Sequence, residues 1–176
     1  TLPKAGKPVD VPDDGHVASG ETGPTTAHIT AALDDRYFNI ESMHGQEGAR
    51  MAAESHMAAI NRADDICRLE GIDCDFIRLD GYLFLAPHHE HSVLEDELQA
   101  AQRAGIANTS IVTRAPLDFW DTGPCLKFEG QAQFHPLKFL NGLAQCIVRD
   151  GGAIYTNTHV DEVKDGAQPS VKTSNG

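Results

Sequence analysis

Residues 45–70 carry the pattern that most restricts the fold. Ala49, Ala52, Ala53, His56, Ala59, Ile60, Ala63, Ile66 and Cys67 recur at helical spacing, and Glu47, Arg50, Glu54, Asn61, Arg62, Asp65 and Arg68 fall on the opposite face. A contact face made so largely of alanine lets a helix lie close against its neighbour, and Gly71 marks its C-terminal end. Two more helices are predicted. One spans residues 92–104, with Leu94, Leu98, Ala101 and Ala104 inward and Gly105 as its stop. The other begins at Pro136, whose missing N–H suits a first turn, and carries the stripe Leu137, Leu140, Leu143, Ala144, Ile147 and Val148.

Strand-like runs alternate with these helices. Residues 75–79 and 82–86 flank Asp80-Gly81, a dipeptide that favours a tight hairpin turn, and Pro87 ends the second run. Residues 111–112 and 125–128 read as further strands. Val9 and Val11 alternate in a short strand that Pro8 and Pro12 confine to an edge. A short helix is expected over residues 27–33, capped by Thr25 or Thr26. After the Pro136 helix, Gly151-Gly152 leads into a strand over 153–156, which is half of a parallel β-α-β unit, and another strand is expected over 159–163. The fold class is therefore mixed α/β. Residues 164–176 are polar and are expected as a frayed tail.

Charge and cysteine usage narrow the function. With 14 Lys plus Arg against 26 Asp plus Glu, the net charge of −12 argues against binding a phosphate backbone, because like charges repel. No apolar run approaches the roughly 20 residues needed to cross a bilayer. Cys67, Cys74, Cys125 and Cys146 form no Cys-x-x-Cys pair, so the zinc-ribbon and thioredoxin patterns are missing, and buried thiols in a reducing cytoplasm are expected. No secretory leader pattern opens the chain, and its Met-less, proline-rich start suggests a fragment of a longer protein.

Four groups of residues could carry chemistry. The cluster His88-His89-Glu90-His91 has metal-ligand side chains, but adjacent loop residues diverge, and a solvated loop is the expected reading, with no metal site. Ser19-Gly20-Glu21-Thr22-Gly23, followed by Thr25-Thr26, offers hydroxyls and backbone N–H groups suited to an anion such as a pyrophosphate. It lacks the Gly-Lys-Ser/Thr ending of a Walker loop, and no Gly-x-Gly-x-x-Gly occurs in the chain. Asp13 follows the first strand, where a carboxylate could take a ribose hydroxyl or simply close a turn. His135 precedes a helix start, where it could act as acid/base or as a cap; His56 reads as an interior histidine.

Together these segments resemble a known family. Residues 19–28, Leu33-Asp34-Asp35-Arg36-Tyr37, residues 71–76 and 79–84, Gln133-Phe134-His135-Pro136-Leu137-Lys138 and Thr158-His159-Val160 are similar to the FAD-dependent oxidoreductases of the D-amino-acid oxidase superfamily, especially a bacterial branch often fused to a Rieske iron–sulfur domain. The resemblance implies a partial Rossmann-like FAD-binding domain interleaved with an antiparallel-sheet substrate domain. It divides the chain into a FAD-binding region (1–44), a substrate-domain-like region (45–135), a return to the FAD-binding region (136–163) and the tail.

The cofactor implied is FAD, and the activity implied is oxidation of an amine or related small molecule by hydride transfer to the flavin. Asp13 would bind the adenosine ribose. Ser19, Gly20, Glu21, Thr22, Gly23, Thr25 and Thr26 would run beneath the pyrophosphate, with Pro24 where relatives often carry Arg. Val160 would meet the adenine through its backbone, and His135 would approach the flavin as the catalytic candidate. An electron-transfer partner or fused Rieske domain would lie outside this chain. The alternative is a truncated or degenerate flavin-fold module that binds or assembles without catalysis.

Overall fold

The structure is a computed structural model that describes residues 5–7, 9–86 and 90–174. The chain folds into two compact units, one of Thr1–Ala27, Ile66–Asp75 and His135–Gly176, the other of His28–Asp65 and Phe76–Phe134. In this division the second unit begins at His28, residues 66–75 pack with the first unit, and the chain returns to the first unit at His135.

In the first unit, β1 (Asp10–Pro12) pairs in parallel with a strand from near the other end of the chain, Ala153–Tyr155. Gly152 permits this approach, since a Cβ there would stand 2.7 Å from the Val9 carbonyl oxygen. Pro12 is tolerated as the last residue of β1, where the ladder gives way to the Asp13 N–H donating to the Tyr155 carbonyl at 2.8 Å.

The second unit begins with β2 (His28–Ile29), a strand where a short helix was expected. Residues 28–29 are held by pairing with residues 132–133, a partner far beyond any local window. The long helix α1 (Tyr37–Glu70) extends further upstream than its alanine pattern, with a non-helical break at Gly45, φ 71° and ψ 172°. Ala49, Ala53, Ile60 and Cys67 are its buried residues beyond that break; His56 is exposed, contrary to the expected interior placement, because an alanine-rich face is broader than the stripe that packs.

β3 (Ile77–Phe84) is one continuous strand rather than a hairpin. Both runs flanking Asp80-Gly81 pair with the same later strand, so the chain goes straight through the dipeptide that promised a turn. α2 (Ser92–Arg103) closes with Ala104 and Gly105 as expected. β4 (Thr109–Val112) and β5 (Cys125–Gln133) complete an antiparallel sheet. β3 covers one edge of β5, while β4 at residues 125–128 and β2 at residues 132–133 share the other. Between Leu79 and Gly81, one residue of β3 faces both Glu129 and Gly130 of β5, a bulge made possible by Gly130 at φ 71°. The core of this unit gathers Ala31, Tyr37, Ala49, Ala53, Ile60, Leu94, Leu126 and Phe128.

α3 (Pro136–Arg149) returns the chain to the first unit and runs into β6 (Ala153–Tyr155), completing the expected helix, glycine turn and parallel strand. Its apolar stripe is only partly covered: Leu137 and Val148 are exposed. The polar segment expected to fray instead pairs, as β7 (Val160–Lys164) and β8 (Ser170–Thr173) form an antiparallel ribbon. No helix among the described residues is long and apolar enough to cross a membrane.

Candidate functional site

The first unit places a polar cleft of about 530 Å³ just beyond the carboxyl end of β1, lined by Asp13, Asp14, Gly15, Ala18, Ser19, Gly20, Thr22 and Leu140. In open α/β sheets the carboxyl ends of parallel strands are where nucleotides bind. The geometry has local causes. Asp13 Oδ1 accepts the Gly15 N–H at 2.9 Å, turning the chain and leaving the other carboxylate oxygen uncommitted by this bond. The turn continues with Ser19 N donating to the His16 carbonyl and Ala18 at φ 64°. Gly15 leaves room for the Ser19 hydroxyl where it stands: a Cβ would come 2.4 Å from Ser19 Oγ and turn that hydroxyl aside.

The segment before β7 is tied to three of the residues that line this cleft. Thr158 N donates to the Asp13 carbonyl at 2.8 Å, Asn157 N to the Gly15 carbonyl at 3.0 Å, and His159 Nδ1 lies 3.1 Å from Asp14 Oδ1. The arrangement therefore brings Asp13, Ser19, Gly20 and Thr22 together in one cleft, with Val160 one residue beyond His159. Glu21, Gly23, Thr25 and Thr26 continue the same loop but do not line the cleft.

His135 is the N-cap of α3: its extended backbone precedes Pro136 and its Nδ1 accepts the Lys138 N–H at 3.5 Å. Its own N–H donates to the Cys74 carbonyl at 2.7 Å, so the residue joins the helix start to the Cys74 loop. The neighbouring Lys138 ammonium pairs with Asp75 at 2.7 Å and holds that carboxyl below its ordinary range. The ring of His135 does not line the Asp13 cleft.

In the second unit a larger cleft of about 550 Å³ lies over the sheet, with Arg36, Tyr82 and Gln131 among its polar lining and Leu83, Phe84 and Leu117 among the apolar. Gln131 is 2% exposed and shapes one wall. Its Oε1 accepts from Ala31 N at 2.7 Å and from Thr30 Oγ1 at 3.1 Å, while its Nε2 donates to the Glu129 carbonyl at 2.8 Å. Sequence reasoning missed this cleft, because Gln131, Tyr82 and Arg36 lie far apart along the chain and only strand register joins them. His88 and His89 of the histidine cluster lie outside the described residues. Among the described residues, no group of three or more His, Cys, Asp or Glu is placed to hold a metal.

Comparison with known proteins places this architecture in a family. The sequence model of the DAO family, FAD dependent oxidoreductase, matches residues 2–176. The chain belongs to this family, whose cofactor is FAD. A Bacillus subtilis (strain 168) protein named for a Rieske 2Fe-2S iron-sulfur centre, YhfW, is 33% identical over 172 residues, covering 98% of this chain and 33% of that protein. Gamma-glutamylputrescine oxidoreductase of Escherichia coli (strain K12) is 24% identical over 181 residues, covering 99% of this chain and 42% of that one. The chain thus spans less than half the length of either relative. Glycine oxidase from Geobacillus kaustophilus shares the fold with a TM-score of 0.77 at 16% identity, covering 99% of this chain and 47% of that one. L-amino acid deaminase from Proteus myxofaciens does so with a TM-score of 0.73 at 18% identity, covering 99% and 39%.

The residues present fit FAD. The cleft beyond β1 combines a carboxylate for ribose hydroxyls, a glycine-relieved loop and two hydroxyls, which is the donor and acceptor set a nucleotide requires.

Proposed function

We propose that these residues form part of an oxidoreductase that removes hydride from a small amine or amino acid. The observation that carries the reading is the cleft joining Asp13, Ser19, Gly20 and Thr22 at the carboxyl end of β1, in a chain that matches the family model along almost its whole length. FAD, when bound, supplies the acceptor for the hydride. The carboxylate of Asp13 takes the ribose hydroxyls, using the oxygen that does not receive the Gly15 N–H. Ser19, Gly20 and Thr22 face the pyrophosphate with hydroxyls and backbone N–H groups, with Glu21, Gly23, Thr25 and Thr26 continuing that loop, and Val160 meets the adenine through its backbone. The sheet cleft takes the substrate, with Arg36 orienting an anionic group and Leu83, Phe84 and Leu117 excluding water. His135, with Nδ1 already accepting from Lys138 N, carries its proton on Nε2 and is the candidate for moving one. The Rieske-named relative supports an electron-transfer partner or a fused iron–sulfur domain elsewhere in the protein.

The test is flavin retention by the protein containing this chain. Purified protein should carry the flavin absorbance bands, and Asp13→Ala should weaken FAD affinity by about tenfold or more, the cost of removing a charged hydrogen-bond acceptor. Unchanged FAD affinity in Asp13→Ala, with the protein folded, would remove Asp13 from the site and with it the basis for the reading.

A further inference from the structure

Two thiols in the first unit take no part in the nucleotide cleft. Cys67 lies in the last turn of α1 and Cys74 in the loop that follows, and their Sγ atoms stand 3.3 Å apart. They are 7% and 1% exposed. Several local constraints bring them together. Gly71, at φ 68°, reverses the chain, and Ile72 N donates to the Cys67 carbonyl at 2.9 Å, a six-residue closure of the helix end. Ile72 then seats against Gly142 of α3, where a Cβ would stand only 2.5 Å from its Cγ2. At the far end, the Cys74 carbonyl accepts the His135 N–H. Both ends of the connection are thus tied down by backbone bonds, and the two sulfurs face each other as thiols.

We propose that Cys67 and Cys74 are a reversible redox site, closing to an intramolecular disulfide with hydrogen peroxide as the oxidant. The sulfur of one thiolate attacks a peroxide oxygen, the O–O bond breaks, and the departing hydroxide takes a proton to leave as water. The sulfenic acid so formed is attacked by the second sulfur, the S–O bond breaks, and a second water leaves as the S–S bond forms. In total, two thiols and one peroxide give one disulfide and two waters, with two electrons passing from sulfur to oxygen. The sulfurs need to close by only about 1.2 Å to reach bonding distance. An open cleft lined by Gly71, Ile72 and Asp73 lays the connecting loop bare to small reagents; Cys146 also lines it, while the Cys67 and Cys74 sulfurs lie behind the loop. Cys125 is fully buried, and Cys146 is the half-buried competitor.

The experiment uses the purified, reduced protein, treated with one equivalent of hydrogen peroxide, then unfolded, alkylated, digested and examined by mass spectrometry. The expected result is loss of two of the four thiols, with a single cross-linked peptide pair joining Cys67 to Cys74, lighter by two hydrogens and restored by dithiothreitol. Cys146→Ser should behave identically, and Cys67→Ala should yield a trappable sulfenic acid at Cys74 and no cross-link. Four alkylatable thiols after treatment, oxidation confined to Cys146, or a chain-to-chain disulfide would each overturn the proposal.

Discussion

Glu97, buried on α2, accepts the backbone N–H of Tyr37 at 2.7 Å through its Oε2 and so caps the first turn of α1 across 60 residues of sequence. The Phe38 N–H reaches the same oxygen at 3.4 Å. Those groups have no carbonyl one turn earlier to accept them, which is the ordinary deficit of a helix start. The other oxygen, Oε1, is buried with no hydrogen-bond partner among the described residues. Burial pushes the Glu97 carboxyl up to about 7, while the two N–H groups and Arg36 pull it down.

This raised value fixes a pH dependence. An unfolded glutamic acid loses its proton near 4.5, whereas folded Glu97 keeps it to about 7. The folded chain therefore binds more protons across that window, and its stability falls as pH rises from about 4.5 to about 7, then levels off. The change expected is about 3 kcal/mol at most. Denaturation at several pH values should show this slope in the native protein and its loss in Glu97→Gln, which keeps an acceptor for Tyr37 N. Glu97→Leu leaves the buried Tyr37 N–H without an acceptor and should cost about 1–3 kcal/mol.

Gln131→Leu keeps the volume of a buried side chain and removes its hydrogen bonds. The Ala31 N–H then has no acceptor, and Ala31 is fully buried. A loss of about 1–3 kcal/mol is expected from thermal or denaturant unfolding. An unchanged midpoint would mean that the residue 30–31 loop finds another partner.

Gly142→Ala should destabilise despite alanine's better helix propensity. The new Cβ would meet three Ile72 carbons between 2.5 and 3.1 Å, and a β-branched side chain cannot swing away. Overpacking of about 1–3 kcal/mol outweighs a gain of about 1 kcal/mol. Ile72→Ala in the same background should relieve most of the clash, which a double-mutant cycle would measure.

Gly45→Ala probes the break in α1. The pair φ 71° and ψ 172° lies in a region open almost only to glycine. A cost of about 1–3 kcal/mol is expected in denaturant unfolding. A neutral outcome would show that residues 37–44 can join the following helix without penalty.

The sequence exposes what short-range periodicity controls and conceals what distant pairing decides. α2 and α3 follow from apolar spacing, Gly105 and Pro136, and the Asp13 cleft follows from residues within one loop and one strand end. Asp80-Gly81 has the chemistry of a hairpin, yet β5, far along the chain, supplies partners to both sides of it. Residues 28–29 became a strand for the same reason. Glu97 and Gln131 read as ordinary polar positions, since nothing local reveals that Tyr37 N and Ala31 N would need them. The contact between Cys67 and Cys74 likewise depends on how Gly71 folds the chain back, which spacing alone does not disclose.

The glycine bulge in β5 reaches further than its size suggests. Because Glu129 and Gly130 together oppose a single residue, Gln131 emerges on the same side of the sheet as Leu126 and Phe128. Losing the bulge while keeping every residue, as a side chain unable to hold φ 71° at position 130 would favour, would restore strict alternation and rotate Gln131 to the reverse surface. The residue 30–31 loop would then lose its anchor although no atom of that loop had been altered, so the dihedral angles of one glycine write a chemical wall at a distance.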